Sequence, residues 1–182
     1  MKKKLGLKLF SIFLLLFFGL TIFYFSSQPP EISHKQSRYV VGILENLNEK
    51  FDISDSPIIK KVEDKFLNLS FMKNYKSANG IIRKSAHFGI YMIFGISCSI
   101  FGYAFSESII ISFLLGISLP TTLAVFDEFN QSFVGRTSSI LDILIDFRGA
   151  FLGSLIICML ICVFKIIKML INFIQYKKLQ KT

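Results

Sequence analysis

Four apolar stretches free of Lys, Arg, Asp and Glu, Leu9–Phe25, Ser85–Ser106, Ser108–Phe126 and Gly149–Phe164, decide what this chain can fold into. A helix needs roughly 20 residues to cross a bilayer core of about 30 Å, and each stretch approaches that length. A chain of 182 residues, 52% of them hydrophobic, has no soluble core large enough to hide four such segments. The expected fold is all-α, a multi-pass membrane helical bundle of about four transmembrane helices. The pattern divides the chain into a first span over residues 1–25 and an extracytoplasmic loop over 26–84. A helical core over 85–171 and a basic tail over 172–182 follow.

The formal net charge of +9 would suit a nucleic-acid partner, but its placement argues otherwise. Lys2, Lys3, Lys4 and Lys8 precede the first span, and Lys165, Lys168, Lys177, Lys178 and Lys181 follow the last. Basic clusters flanking spans mark cytoplasmic ends and lean on anionic lipid heads. Four spans then put both termini in the cytoplasm, and no nucleic-acid motif accompanies the charge. The first span has the basic start and apolar run of a signal peptide. Tyr24-Phe25-Ser26 supplies bulk where cleavage needs small residues, so it reads as uncleaved. Cys98, Cys158 and Cys162 fall inside spans and are expected to be packed free thiols, neither disulfides nor metal ligands.

The long first loop, Ser26–Lys84, is polar and nearly balanced in charge, so it does not overturn this topology. Two amphipathic helices are expected in it. One covers Arg38–Phe51, with Val40, Val41, Leu44, Leu47 and Phe51 at helical spacing. The other starts at Ser56-Pro57 and aligns Ile58, Ile59, Val62, Phe66 and Leu69. Such helices lie on the outer membrane surface or cap the bundle. Tyr103–Glu107 leaves room only for a tight turn, and Pro120 is expected to kink the third span. The segment Thr137–Phe147 either dips into the membrane or extends the fourth span.

Three polar clusters stand at the outer ends of these spans. Lys84, His87 and Tyr91 occur at i, i+3 and i+7, on one helix face, and Gly95 continues that stripe. Asp127, Glu128 and Gln131 converge if helix continues past Phe126. Asp142, Asp146, Gly149 and Gly153 form another stripe whose two glycines make a close-packing pair. Ionisable groups at membrane depth are costly and usually functional. The bland alternative is an ion-pair network in which Lys84, Arg136 and Arg148 hold these carboxylates and lock the helices. His34, beside Lys35, reads as an ordinary surface histidine.

Phe25-Ser26-Ser27-Gln28, then Arg83-Lys84-x-x-His87-Phe-x-x-Tyr91, Asp127-Glu128-x-x-Gln131-x-Phe133-x-x-Arg136 and Asp142-x-x-x-Asp146-x-x-Gly149 together resemble the VanZ-like family. The resemblance runs from Phe25 to about Gly153, and the chain departs from the family pattern mainly in its long first loop. It implies a bacterial multi-pass membrane protein. The family's namesake is associated with resistance to teicoplanin-type glycopeptides without rebuilding the peptidoglycan precursor. Membership alone does not make a chain a resistance protein.

Two functions fit these residues. In the first, an outer-face pocket built from Ser27, Gln28, Arg83, Lys84, Tyr91, Gln131, Arg136, Asp142 and Asp146 binds an envelope lipid or lipid-linked intermediate. Arginine suits bidentate contact with phosphate, and Arg148 adds to the local charge. In the second, a hydrolase or transferase works on such a lipid, with His87 as general acid/base and Asp127 or Glu128 orienting it or activating water. Proton-coupled transport is disfavoured because no charged residue lies mid-span. The sequence names no cofactor and assigns no metal ligands, although an oxygen-rich set drawn from Asp127, Glu128, Asp142, Asp146 and His87 would suit Mg or Mn. It does not give the oligomeric state.

Overall fold

All four expected spans are helices in the computed structural model, which describes residues 2–51, 78–136 and 138–179. The elements are α1 (Lys2–Ser26), α2 (Pro30–Phe51), α3 (Ala78–Ser106), α4 (Ile109–Phe133) and α5 (Ile140–Leu179). No strand occurs among the described residues. Four helices, α1, α3, α4 and α5, are long and apolar enough to cross a membrane. The chain is a multi-pass, all-helical membrane protein.

Two boundaries differ from the sequence reading, and of the two alternatives for Thr137–Phe147 the structure takes the second. The third span runs on to Phe133 and carries Asp127, Glu128 and Gln131 into the bundle, where all three are buried. From Ile140 onward the segment Thr137–Phe147 is helix continuous with the last span, which is thereby extended. The helix expected over Arg38–Phe51 already starts at Pro30, whose fixed φ suits a first helical position, with Glu31 in the favourable first turn. The second amphipathic segment, from Ser56, lies outside the described residues. Pro120 sits inside α4 without ending it.

α3 is the central helix and touches each of the others. Small residues make that possible, since close backbone approach is what holds helices together in lipid. Gly95 meets α5 at Ala150, and Gly102 meets α4 at Ser112. Where the backbones meet, the Ser112 hydroxyl donates to the Ser99 carbonyl at 2.7 Å, and the Ser154 hydroxyl to the Ala150 carbonyl at 2.8 Å. Ile22, Tyr91, Phe94, Cys98 and Ala124 form a buried core cluster. The three cysteines are free thiols, as expected. Phe13, Leu16, Leu20, Leu114 and Phe126 point outward, as residues facing lipid tails do.

A charged belt closes one end. The Lys4 ammonium donates to the Glu107 carboxylate at 2.6 Å, Lys165 Nζ donates to the Glu107 carbonyl at 3.3 Å, and Lys8 Nζ stands 4.9 Å from the centre of the Phe105 ring. Glu107 itself, at φ 56°, turns the chain from α3 into α4, where Ser108 caps the new helix by accepting from Ile111 N. The polar clusters lie at the other end. Asp146 to Lys165, His87 to Ser106 and Ser108 to Asp127 are each nineteen residues apart, or about 28 Å along a helix. That is close to one hydrocarbon thickness.

The belt gives a pH prediction. The hydrogen bond from Lys4 holds the Glu107 carboxyl below the ordinary glutamate range. A carboxyl with a depressed pKa contributes at neutral pH and loses its contribution as pH falls through that lowered value. Carbon-13 NMR of the Glu107 carboxyl should show titration below about 4.3, returning to that region in Lys4→Ala. An unshifted wild-type titration would show that the contact is not held in solution.

Candidate functional site

α3 carries Lys84, His87 and Tyr91 on the face that looks at α4 and α5. Extension of α4 past Phe126 brings Asp127, Glu128 and Gln131 to the same level, and the first turns of α5 add Asp142 and Asp146. All of these except His87 are buried. His87 Nδ1 faces Asp146 Oδ1 at 3.4 Å and Asp127 Oδ2 at 3.9 Å, neither aligned as a hydrogen bond. The fully buried Tyr91 hydroxyl donates to Asp127 Oδ2 at 3.3 Å. His87, Asp127 and Asp146 thus form one compact group with Tyr91 behind it.

The other carboxylates have different duties. Lys84 and Asp142 form a buried ion pair between α3 and α5. Glu128 Oε2 accepts from the Ser139 amide at 2.8 Å, placing negative charge at the positive end of α5 and tying α4 to it across the connection. Gly135, at φ 77°, turns that connection so that the Arg136 amide bonds the Gln131 carbonyl at 3.1 Å. Gln131 is buried, and its Nε2 makes no hydrogen bond among the described residues.

A pocket of about 440 Å³ opens beside this group. Its wall is mainly apolar, with Ile22, Phe25, Ile90 and Ile93 contributing. Arg83, Arg136, His87 and Asp127 converge on it from α3, α4 and the connection, and Ser33 and Gln36 close it from α2. Burial, and then the neighbouring Arg83 charge, push the Arg136 pKa down, opposed by Asp127, Glu128 and Asp142. Arg136 Nη1 reaches the Phe25 carbonyl at 3.4 Å, while its buried Nε makes no hydrogen bond among the described residues. Two guanidinium groups therefore share one pocket at a cost that an anion would relieve.

The remaining sequence-derived candidates sit apart. Just past the end of α1, Ser27 donates to the Phe23 carbonyl at 2.9 Å and Gln28 to the Tyr24 carbonyl at 3.4 Å, and neither lines the pocket. Arg148 is exposed and is likewise not part of the lining. Ser26, part of the Phe25–Gln28 motif, and Asn130 are not among the sequence-derived site candidates. Ser26 is buried and donates to the Asp127 carbonyl at 3.1 Å, and Asn130 Nδ2 donates to Ser26 Oγ at 3.2 Å and Ser27 Oγ at 3.0 Å. These bonds pin the end of α1 beside the Asp127 backbone. The available signal was a polar Ser-Ser pair closing one span and an Asn among the polar residues closing another.

Among families, the one described as VanZ/LLP1 matches residues 10–164, most of the chain and all of the groups above. No curated protein and no solved structure matches this chain.

Proposed function

Starting from a chain that belongs to the VanZ/LLP1 family, we propose that its pocket binds the phosphorylated headgroup of an envelope lipid or lipid-linked intermediate at the extracytoplasmic face of the cell membrane. One observation carries this reading. A largely apolar pocket holding two convergent arginines lies about one hydrocarbon thickness from the basic belt. An amphiphile with an anionic head and a long tail matches both linings, and the arginines gain charge-assisted contacts to phosphate. Sidedness follows from the lysines of the belt and tail, which mark the cytoplasmic end. Sequestering or presenting such a lipid would change what a lipidated glycopeptide meets at the surface, and lower teicoplanin sensitivity is the expected cellular outcome.

Native mass spectrometry of the detergent-solubilised protein with a polyprenyl phosphate and the matching polyprenol tests this directly. The phosphate should bind and the alcohol should not. Arg136→Ala should weaken binding by about tenfold or more, the size of one lost charge-assisted contact. Equal binding of both lipids, or of both protein forms, sinks the reading.

A second reading, an outer-face hydrolase or transferase, is favoured by His87. It lines the pocket and is backed by two buried carboxylates, the arrangement of an oriented general acid/base. Turnover of the bound lipid, lost in His87→Gln with binding kept, would select this reading.

A further inference from the structure

We infer that His87, Asp127 and Asp146 form a binding site for one first-row divalent cation, set into the wall between the bundle core and the pocket. One ligand atom from each residue lies within 4.8 Å of the other two. Two ligands on a single ion, each at about 2.1 Å, stand roughly 3 to 4.2 Å apart. The separations of 3.4 Å and 3.9 Å from His87 Nδ1 fall in that range.

The second observation is independent of this clustering. Asp146 is fully buried, yet neither of its carboxylate oxygens makes a hydrogen bond among the described residues, and the same holds for His87 Nδ1 and Asp127 Oδ1. Buried polar atoms are nearly always paired, and a buried carboxylate with bare oxygens is costly. The nearest lysine of the cluster, Lys84, is already engaged with Asp142. Two carboxylates and a neutral imidazole are balanced by a doubly charged ion.

The donor set narrows the ion. One imidazole and two carboxylates, with no thiolate, disfavour Cu(I) and suit Mn²⁺, Fe²⁺ or Zn²⁺ with coordination positions left over. His87 and Asp127 both line the pocket, so those positions face it. The Tyr91 hydroxyl on Asp127 Oδ2 is the outer hydrogen bond that orients a ligating carboxylate. The inference deepens the pocket reading by adding a cation beside Arg83 and Arg136, to which a phosphate oxygen would bind.

Mn²⁺ alone is the probe, added to full-length protein in a sugar-headed detergent so that no phosphate competes. Electron paramagnetic resonance should show one Mn²⁺ per chain, with pulsed spectra carrying the nitrogen coupling of a bound imidazole. His87→Gln should remove that coupling, and Asp146→Asn should weaken binding by at least about tenfold. Glu107→Gln, at the opposite end, should change nothing. Absence of binding at millimolar Mn²⁺, or bound Mn²⁺ without nitrogen coupling, overturns the site on the wild-type protein alone, whatever the variants do. Because no lipid phosphate is present, that failure leaves the headgroup reading standing.

Discussion

Gly149→Leu is expected to remove most of the folded protein, and Gly149→Ala to lower its melting temperature measurably. A Cβ at Gly149 would run into the Phe88 carbonyl of α3, with Met92 N only 3.2 Å away; at Gly153 it would run into the Met92 carbonyl. The atoms in the way are backbone, and α3 cannot retreat without leaving its other three neighbours. From the opposite side, a Cβ at Gly95 would lie 2.5 Å from the Ala150 carbonyl oxygen. The two helices therefore meet backbone to backbone over two turns. Overpacking a close site costs roughly 1–3 kcal/mol, and more where the obstacle cannot rotate away. Gly89, on α3 itself, has nothing within 4 Å of such a Cβ. Gly89→Ala should thus leave melting unchanged or raise it, since alanine favours helix by up to about 1 kcal/mol. Thermal unfolding in detergent of Gly149→Ala and Gly89→Ala side by side is the measurement. Equal melting of the two would mean that α3 and α5 do not pack as closely as the structure has them.

That packing shows what the sequence could and could not reveal. The stripe Asp142, Asp146, Gly149, Gly153 was visible as a period, because small residues at i and i+4 mark a close face whatever the partner. The partner was not visible, since α3 offers only Gly95 in return and its carbonyls at Phe88 and Met92 leave no trace in composition. The spans were legible from hydropathy, but their ends were not. In a sequence charge marks water, yet Asp127, Glu128, Asp142 and Asp146 are all buried. Gathering His87, Asp127 and Asp146 requires three helices at one depth, which equal spacing from the basic belt encodes indirectly. The pocket wall contributed by α2 had no signal. Ser33 and Gln36 precede the apolar periodicity of Arg38–Phe51.

Lys84→Met is expected to be among the most destabilising single substitutions in the bundle, and adding Asp142→Leu to it should restore most of the loss. Both side chains of this pair are less than a tenth exposed, at 4% and 8%. Breaking a buried pair from one side leaves a charge without its counterion in a low-dielectric interior, at about 3–5 kcal/mol. Replacing both partners by apolar residues of similar size is often neutral, because the desolvation cost of two charges disappears along with their attraction. Detergent melting curves of the two single variants and the double variant give the coupling directly. Near-additive losses would remove the ion pair as a strut between α3 and α5. The rescued double variant then serves a second purpose. Tested with polyprenyl phosphate, it separates the locking network from the ligand site. Full binding places Lys84 and Asp142 in the scaffold, and lost binding in a stable protein places them in contact with the headgroup.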